Sequence, residues 1–252
     1  MPKLLIFLGK KIEGRILHKP HTYYITETTK DFTTQHGTIK KADLNKKDGA
    51  IIKSSTGTEF TLISAGFHDI HSRIKKLPQT IPHKDIARII IQTGLNKNST
   101  VLDAGLGSGA LAIYLAGICK KVISYEIDEQ TIELAKMNMK SCGVTTEIKN
   151  KDVYQAIDET KLDAIILDLP EPWKVVKHAK KALAVGGWLV AYNPTINQIA
   201  KFNDELSNNK EMMHVKNIEI IERQWDAKEQ IIRPVKTPIG HSGFLSFARR
   251  IH

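Results

Sequence analysis

Cysteine is almost absent from this chain of 252 residues: only Cys119 and Cys142 occur. Two isolated thiols without metal-ligand spacing exclude a disulfide framework and a zinc site, and read as reduced, partly buried side chains. Long hydrophobic runs are missing too. No apolar stretch approaches the roughly 20 residues that span a bilayer, which excludes a membrane-spanning helix. The apolar start, Met1-Pro2-Lys3-Leu4-Leu5-Ile6-Phe7-Leu8, lacks a long apolar region and a small-residue cleavage site, so it reads as a first strand rather than a leader. There is no internal repeat and no low-complexity segment. The expectation is a water-soluble, folded, cytoplasmic protein.

Acidic charge is also in short supply. The chain has 37 Lys and Arg against 27 Asp and Glu, a net charge of +10 and an isoelectric point near 9.4. Such a balance favours a polyanionic partner through accumulated phosphate contacts. Residues 1–80 hold 14 of the basic and 7 of the acidic side chains, so the N-terminal third is the basic part. What remains is ordinary: 41% hydrophobic and 25% charged residues match a soluble globular protein, and the length suits one large domain with a small second one.

Residues 1–65 contain short β-rich runs at 4–8, 23–26, 50–52 and 59–63, separated by Gly, Asn, Asp and Lys clusters, and predict a small β domain. Ala65-Gly66 and the stretch from Arg73 to Pro78 form a connector into a helix at 84–93. From Thr100 the pattern changes. Strand-like runs at 101–104, 122–126, 146–149, 162–167 and 188–192 alternate with helical segments at 110–119, 129–141 and 175–183. That alternation predicts βαβ units and a mostly parallel sheet across 66–252, an α/β Rossmann-like catalytic domain.

The run Asp103-Ala104-Gly105-Leu106-Gly107-Ser108-Gly109-Ala110-Leu111 puts a glycine-rich turn between a strand and a helix, where backbone can approach a ligand closely and φ can be positive. The turn suits a dinucleotide or S-adenosylmethionine equally. Glu126, at the end of the next strand, is placed to accept hydrogen bonds from ribose hydroxyls of either cofactor. Two further features separate them. Asp152, followed by Val153, ends the third strand where a methyltransferase commonly sets a carboxylate near the adenine amino group. Asp168-Leu169-Pro170-Glu171-Pro172-Trp173 ends the fourth, and its two prolines predict a rigid, non-helical lip at the ligand-binding edge of the sheet.

The lip, the glycine run and His241-Ser242-Gly243-Phe244 together resemble the tRNA (adenine-N1)-methyltransferase family, over nearly the whole chain. The family modifies the T-loop adenosine at tRNA position 58, and archaeal members also position 57. The resemblance implies a class I S-adenosylmethionine-dependent fold, a tRNA substrate bound partly by the basic N-terminal domain, and a homotetramer. It implies that the cofactor meets Gln79, Gly105, Leu106, Gly107, Ser108, Gly109, Ala110, Leu111, Glu126, Asp152, Val153 and Asp168. Asp168 is the catalytic candidate; His83 and His241 are candidates for the target base, and no metal is implied. One segment departs from the family. Gln79-Thr80-Ile81-Pro82-His83-Lys84-Asp85 exchanges the usual order of the ring residue and the proline. The competing expectations are methylation of a protein carboxylate or a corrinoid precursor, a non-catalytic tRNA-binding subunit, and a nicotinamide dehydrogenase.

Overall fold

The computed structural model describes residues 1–12, 15–228, 231–235 and 240–252. The chain divides into two compact units, Met1–Arg73 and Ile74–His252. The first therefore extends eight residues past the boundary expected at 65.

Within Met1–Arg73, β1 (Lys3–Phe7) is followed by β2 (Lys10–Ile12), β3 (Arg15–His18), β4 (His21–Ile25), β5 (Phe32–Thr34) and β6 (Gly37–Ile39). A short helix α1 (Lys41–Leu44), then β7 (Ile51–Lys53), β8 (Glu59–Ser64) and α2 (Phe67–His71) complete the unit. The order β4-β1-β8-β7 makes an antiparallel sheet, and β2–β3 and β5–β6 are separate hairpins. Alternate residues along β8 turn inward, so Phe60 and Leu62 join Leu5, Ile25, Ile39 and Ile52 in a small core.

In Ile74–His252, α3 (His83–Thr93) precedes β9 (Thr100–Ala104), α4 (Ala110–Ala116), β10 (Lys121–Glu126), α5 (Glu129–Ser141), β11 (Glu147–Asn150) and β12 (Leu162–Leu167). A 3-10 turn at Pro172–Val175 leads into α6 (Val176–Ala182), β13 (Leu183–Asn193), α7 (Ile196–Ser207) and β14 (Met212–Glu219). The hairpin β15 (Trp225–Lys228) and β16 (Ile231–Pro234) and the last strand β17 (Phe244–Arg250) follow. The sheet runs β11-β10-β9-β12-β13-β17-β14, parallel as far as β13, with β17 antiparallel to both of its neighbours. A dinucleotide-binding sheet has a different order, with a parallel sixth strand beside the fifth.

Each central strand is apolar on both faces, as a sheet covered on both sides requires. Val101, Ala164, Ile166 and Val190 pack with α3, α4 and α5 residues, whereas Leu102, Ile165, Leu167 and Leu189 pack with α6 and α7 residues. The order of strand addition reverses at β9: β10 and β11 are laid down on one side of it, and β12 and β13 on the other. That switch opens a crevice beyond the carboxyl ends of β9 and β12.

The lip is only partly as expected. Asp168–Glu171 is non-helical, but Pro172 occupies the first position of the 3-10 turn. A proline there fixes a helical φ, and its missing N–H has no partner to lose.

Candidate active site

Each glycine of the run answers to a local constraint. At Gly105 a Cβ would lie 2.9 Å from the Asp168 carbonyl oxygen, because the Asp168 amide bonds the Ala104 carbonyl at 2.8 Å and draws the two strand ends together. At Gly109 it would press on Ala135 of α5 at 3.3 Å. Gly107 has open space but a φ of +52°. The loop is thus closed by packing at both ends and by backbone conformation in the middle.

Around this loop lies a cleft of about 400 Å³ lined by Gln79, Gly105, Leu106, Gly107, Ser108, Ala110, Leu111, Glu126 and Asp168 from the expected set. Glu126 spans its rim: one carboxylate oxygen accepts the Gly107 amide at 3.2 Å, the other the Ile127 and Asp128 amides at 2.8 and 3.1 Å. Gln79 holds a left-handed φ of 67°, one of two non-glycine residues to do so among those described, and strain of this kind gathers at ligand sites.

Asp103, Glu126 and Asp168 bring three carboxylates to the same cleft, and no lining residue is basic. Asp103 is 1% exposed and its Oδ2 has no hydrogen-bond partner. Burial, reinforced by the neighbouring Asp168 and Glu126 charges, pushes its pKa well above the usual carboxylate range. Burial alone pushes Asp168 up to about 7. Such a site is short of positive charge, and a cationic ligand would supply it.

Sequence reading missed several lining residues: Asp103, Tyr154, Leu169, Pro170 and the flanks of Gln79 from Leu77 to Ile81. Asp103 opens the glycine motif, and Tyr154 stands two residues from Asp152, so both were within reach. Leu169 and Pro170 belong to the lip already expected at the ligand-binding edge, whereas the flanks of Gln79 come from a connector without periodicity.

Gly109, Asp152, Val153, His83 and His241 lie outside the lining. Asp152 instead accepts the Tyr154 amide at 2.8 Å, holding the turn that presents Tyr154, whose hydroxyl accepts the Glu171 amide of the lip at 3.1 Å. Val153 is buried in the core. His83 opens α3 with its ring edge-on to Tyr114, 5.5 Å between centroids. His241 joins its Nδ1 to Glu219 at 2.6 Å and its Nε2 to the Pro194 carbonyl at 3.0 Å. Both partners only accept, so both ring nitrogens donate, and the Glu219 bond, then the Pro194 bond, raise the His241 pKa.

A family model described as tRNA methyltransferase complex GCD14 subunit matches residues 73–233. The chain belongs to this family. A relative from Methanocaldococcus jannaschii, tRNA (adenine(57)-N(1)/adenine(58)-N(1))-methyltransferase TrmI, is 33% identical over 258 residues and covers 90% of each chain. A SAM-dependent O-methyltransferase from Thermotoga maritima superposes with a TM-score of 0.84 at 25% identity, covering 99% of this chain and 93% of the other. The tRNA (m1A58) methyltransferase TrmI of Aquifex aeolicus gives 0.79 at 24% identity, covering 99% and 97%. Both share the fold along essentially the whole chain, and the family's fold is the S-adenosylmethionine-dependent methyltransferase one.

Proposed function

We propose that the chain transfers a methyl group from S-adenosylmethionine to nitrogen-1 of the T-loop adenosine at tRNA position 58, with position 57 as a second acceptor. Family membership supports the acceptor; the charge of the cleft supports the cofactor. The orphaned Asp103 oxygen and its two carboxylate neighbours fit a ligand that bears sulfonium and ammonium charges. They do not fit a dinucleotide, whose diphosphate they would repel.

When bound, the cofactor supplies an electrophilic methyl group and loses its sulfonium charge as that group departs. Glu126 would hold the ribose hydroxyls, Asp103 the cationic end, and Gln79, Tyr154 and the glycine loop the remaining walls. Asp168 would accept a hydrogen bond from the exocyclic amine of the adenine, so that the in-plane lone pair of nitrogen-1 points at the methyl carbon. As that bond forms the ring gains the positive charge, and the Asp168 carboxylate stabilises it. The target base leaves the T-loop stack to enter the site, at a cost offset by contacts elsewhere on the RNA. By family resemblance we also assign the chain a homotetrameric state in the cytoplasm.

Nucleoside mass spectrometry of a tRNA transcript incubated with the protein and S-adenosylmethionine tests the reading. The expected product is 1-methyladenosine, mapped to 57 or 58 by primer-extension stops. Methyl transfer to an oxygen of a protein or small molecule, with tRNA untouched, overturns it in favour of the activity described for the Thermotoga maritima structure.

A further inference from the structure

The Met1–Arg73 unit carries a cleft of its own, about 520 Å³, in which four rings converge: Phe7, His18, His36 and Phe60. His36 lies 4.5 Å from Phe7 and 5.1 Å from His18 between centroids, and Phe60 backs them at 5.7 Å from Phe7. The two phenylalanines are buried, whereas His36 is half-buried and His18 exposed, so imidazole forms the accessible ring surface, beside exposed Leu8 and Ile51 and the Glu59 carboxylate, which is paired with Lys53.

The His36 backbone is held in advance. The His36 carbonyl accepts hydroxyl hydrogen bonds from Ser54 and Thr56, and its amide donates to Thr34 Oγ1 at 2.9 Å. The turn at Gly37, φ +96°, leaves no room for a side chain against Ser55. Gly9 and His18, at the two ends of the β2–β3 hairpin, both line the cleft. A Cβ at Gly9 would lie 2.7 Å from the His18 carbonyl oxygen, so glycine closes the hairpin. The segment they bracket is basic in sequence, with Lys10, Lys11 and Arg15 inside it and Lys19 beside it. Five other lysines of the unit, Lys3, Lys30, Lys40, Lys46 and Lys53, are paired with carboxylates.

A cluster of rings in a segment whose sequence is rich in Lys and Arg matches one ligand chemistry, a flat heteroaromatic base joined to a phosphate chain. We propose that this cleft binds an unpaired nucleobase of the RNA substrate, stacked on one imidazole and meeting the other edge-on, since His18 and His36 stand at 83° to each other, at a site other than the one that takes the methylated adenine. The proposal rests on RNA being the substrate. It gives the N-terminal unit a stacking role in addition to charge, so that an RNA with no base free to enter the cleft binds less tightly.

The test is titration of the full chain with a labelled tRNA transcript and with a single-stranded RNA oligonucleotide, at several salt concentrations, for the parent, His18→Ala, His36→Ala and His36→Phe. The alanine variants should raise the RNA dissociation constant by about fivefold to a hundredfold, the range for losing one stacked base. The salt slope, the cofactor affinity and the melting temperature should not change with His18→Ala, and His36→Phe should stay close to the parent. If His36→Ala fails to fold, His18→Ala at the exposed rim decides. Unchanged RNA affinity overturns the proposal. So does a flatter salt slope, which would mark a phosphate contact, or a changed oligomeric state with intact RNA affinity, which would mark a contact between copies. A parent that binds the oligonucleotide but methylates no tRNA would sink the proposed reaction and leave the cleft standing.

Discussion

Asp168 leaves the sheet at the end of β12, where its amide is tied to Ala104 and its carboxyl loses most of its water. A carboxyl with a folded pKa above its unfolded one binds its proton more tightly in the folded state. Its contribution to stability is complete below the ordinary value of 3.8 and is lost as pH rises through about 7. Asp168→Asn, which carries no charge, should therefore melt above the parent at pH 8, by on the order of 2 to 4 kcal/mol, and level with it near pH 4. Turnover should fall by about 10² to 10³, the scale for removing one preorganised charge-stabilising group. In the parent, kcat/KM should climb with pH through about 7, the value in the free protein. The limb in kcat should lie lower, because a bound sulfonium favours the carboxylate. A variant that turns over at the parent rate with the same limb would remove Asp168 from the chemistry. Glu126 calls for a different measurement. It accepts three backbone amides besides any ribose hydroxyl. Calorimetry on Glu126→Ala should show cofactor affinity reduced about tenfold or more while tRNA affinity holds, with some loss of melting temperature. Unaltered cofactor binding would mean that the ribose is held elsewhere.

The glycine loop separates two roles that sequence alone merges. Gly107→Ala meets open space and costs only the left-handed conformation, about 1 kcal/mol. Gly105→Ala drives a methyl group into the Asp168 carbonyl oxygen, a backbone atom that cannot swing aside, so the strand ends must part. We expect Gly105→Ala to lower melting temperature and turnover together by much more than Gly107→Ala, in paired melting and single-turnover assays. Equal behaviour would show that the β9–β12 closure does not position Asp168. The same contrast explains what was legible. Strands β9, β10 and β12 and helix α5 stand out because buried strands and amphipathic helices each leave a period in sequence, and the loop's glycines leave a spacing. The region after β13 was not read: β14 is an edge strand with mixed burial and shows no alternation, whereas α7 does carry an apolar face and a Thr195–Gln198 capping box that the sequence displays. The cleft's far wall, Leu77–Ile81, belongs to a connector that only tertiary folding brings to the glycine loop. Asp152 is legible as a polar residue in the right turn, but the hydrogen bond that one of its oxygens accepts from the Tyr154 amide is not displayed by sequence.

At the scale of the whole molecule, the two units carry the same net charge of +5, but the first concentrates it in far fewer residues. Met1–Arg73 hold 12 Lys and Arg against 7 Asp and Glu in fewer than a third of the residues, and have their own core of Leu5, Ile25, Ile39, Ile52, Phe60 and Leu62. Ile74–His252 contain every residue that lines the carboxylate cleft. If the basic unit supplies phosphate contacts, its removal costs RNA affinity through counterion release, which is steep in salt, while cofactor affinity depends on groups that stay in place. A chain of residues 74–252 should therefore bind S-adenosylmethionine within a few fold of the parent. It should bind tRNA much more weakly, with a flatter dependence of log K on log salt concentration. The loss of affinity should be largest at low salt and shrink as ionic strength rises, because the phosphate contacts in the parent are themselves screened. Loss of cofactor binding together with a lower melting temperature would instead show that the second unit needs the first in order to fold. Full tRNA affinity in the shortened chain would move the RNA-binding surface onto Ile74–His252 and leave the excess charge of the first unit without a role in binding.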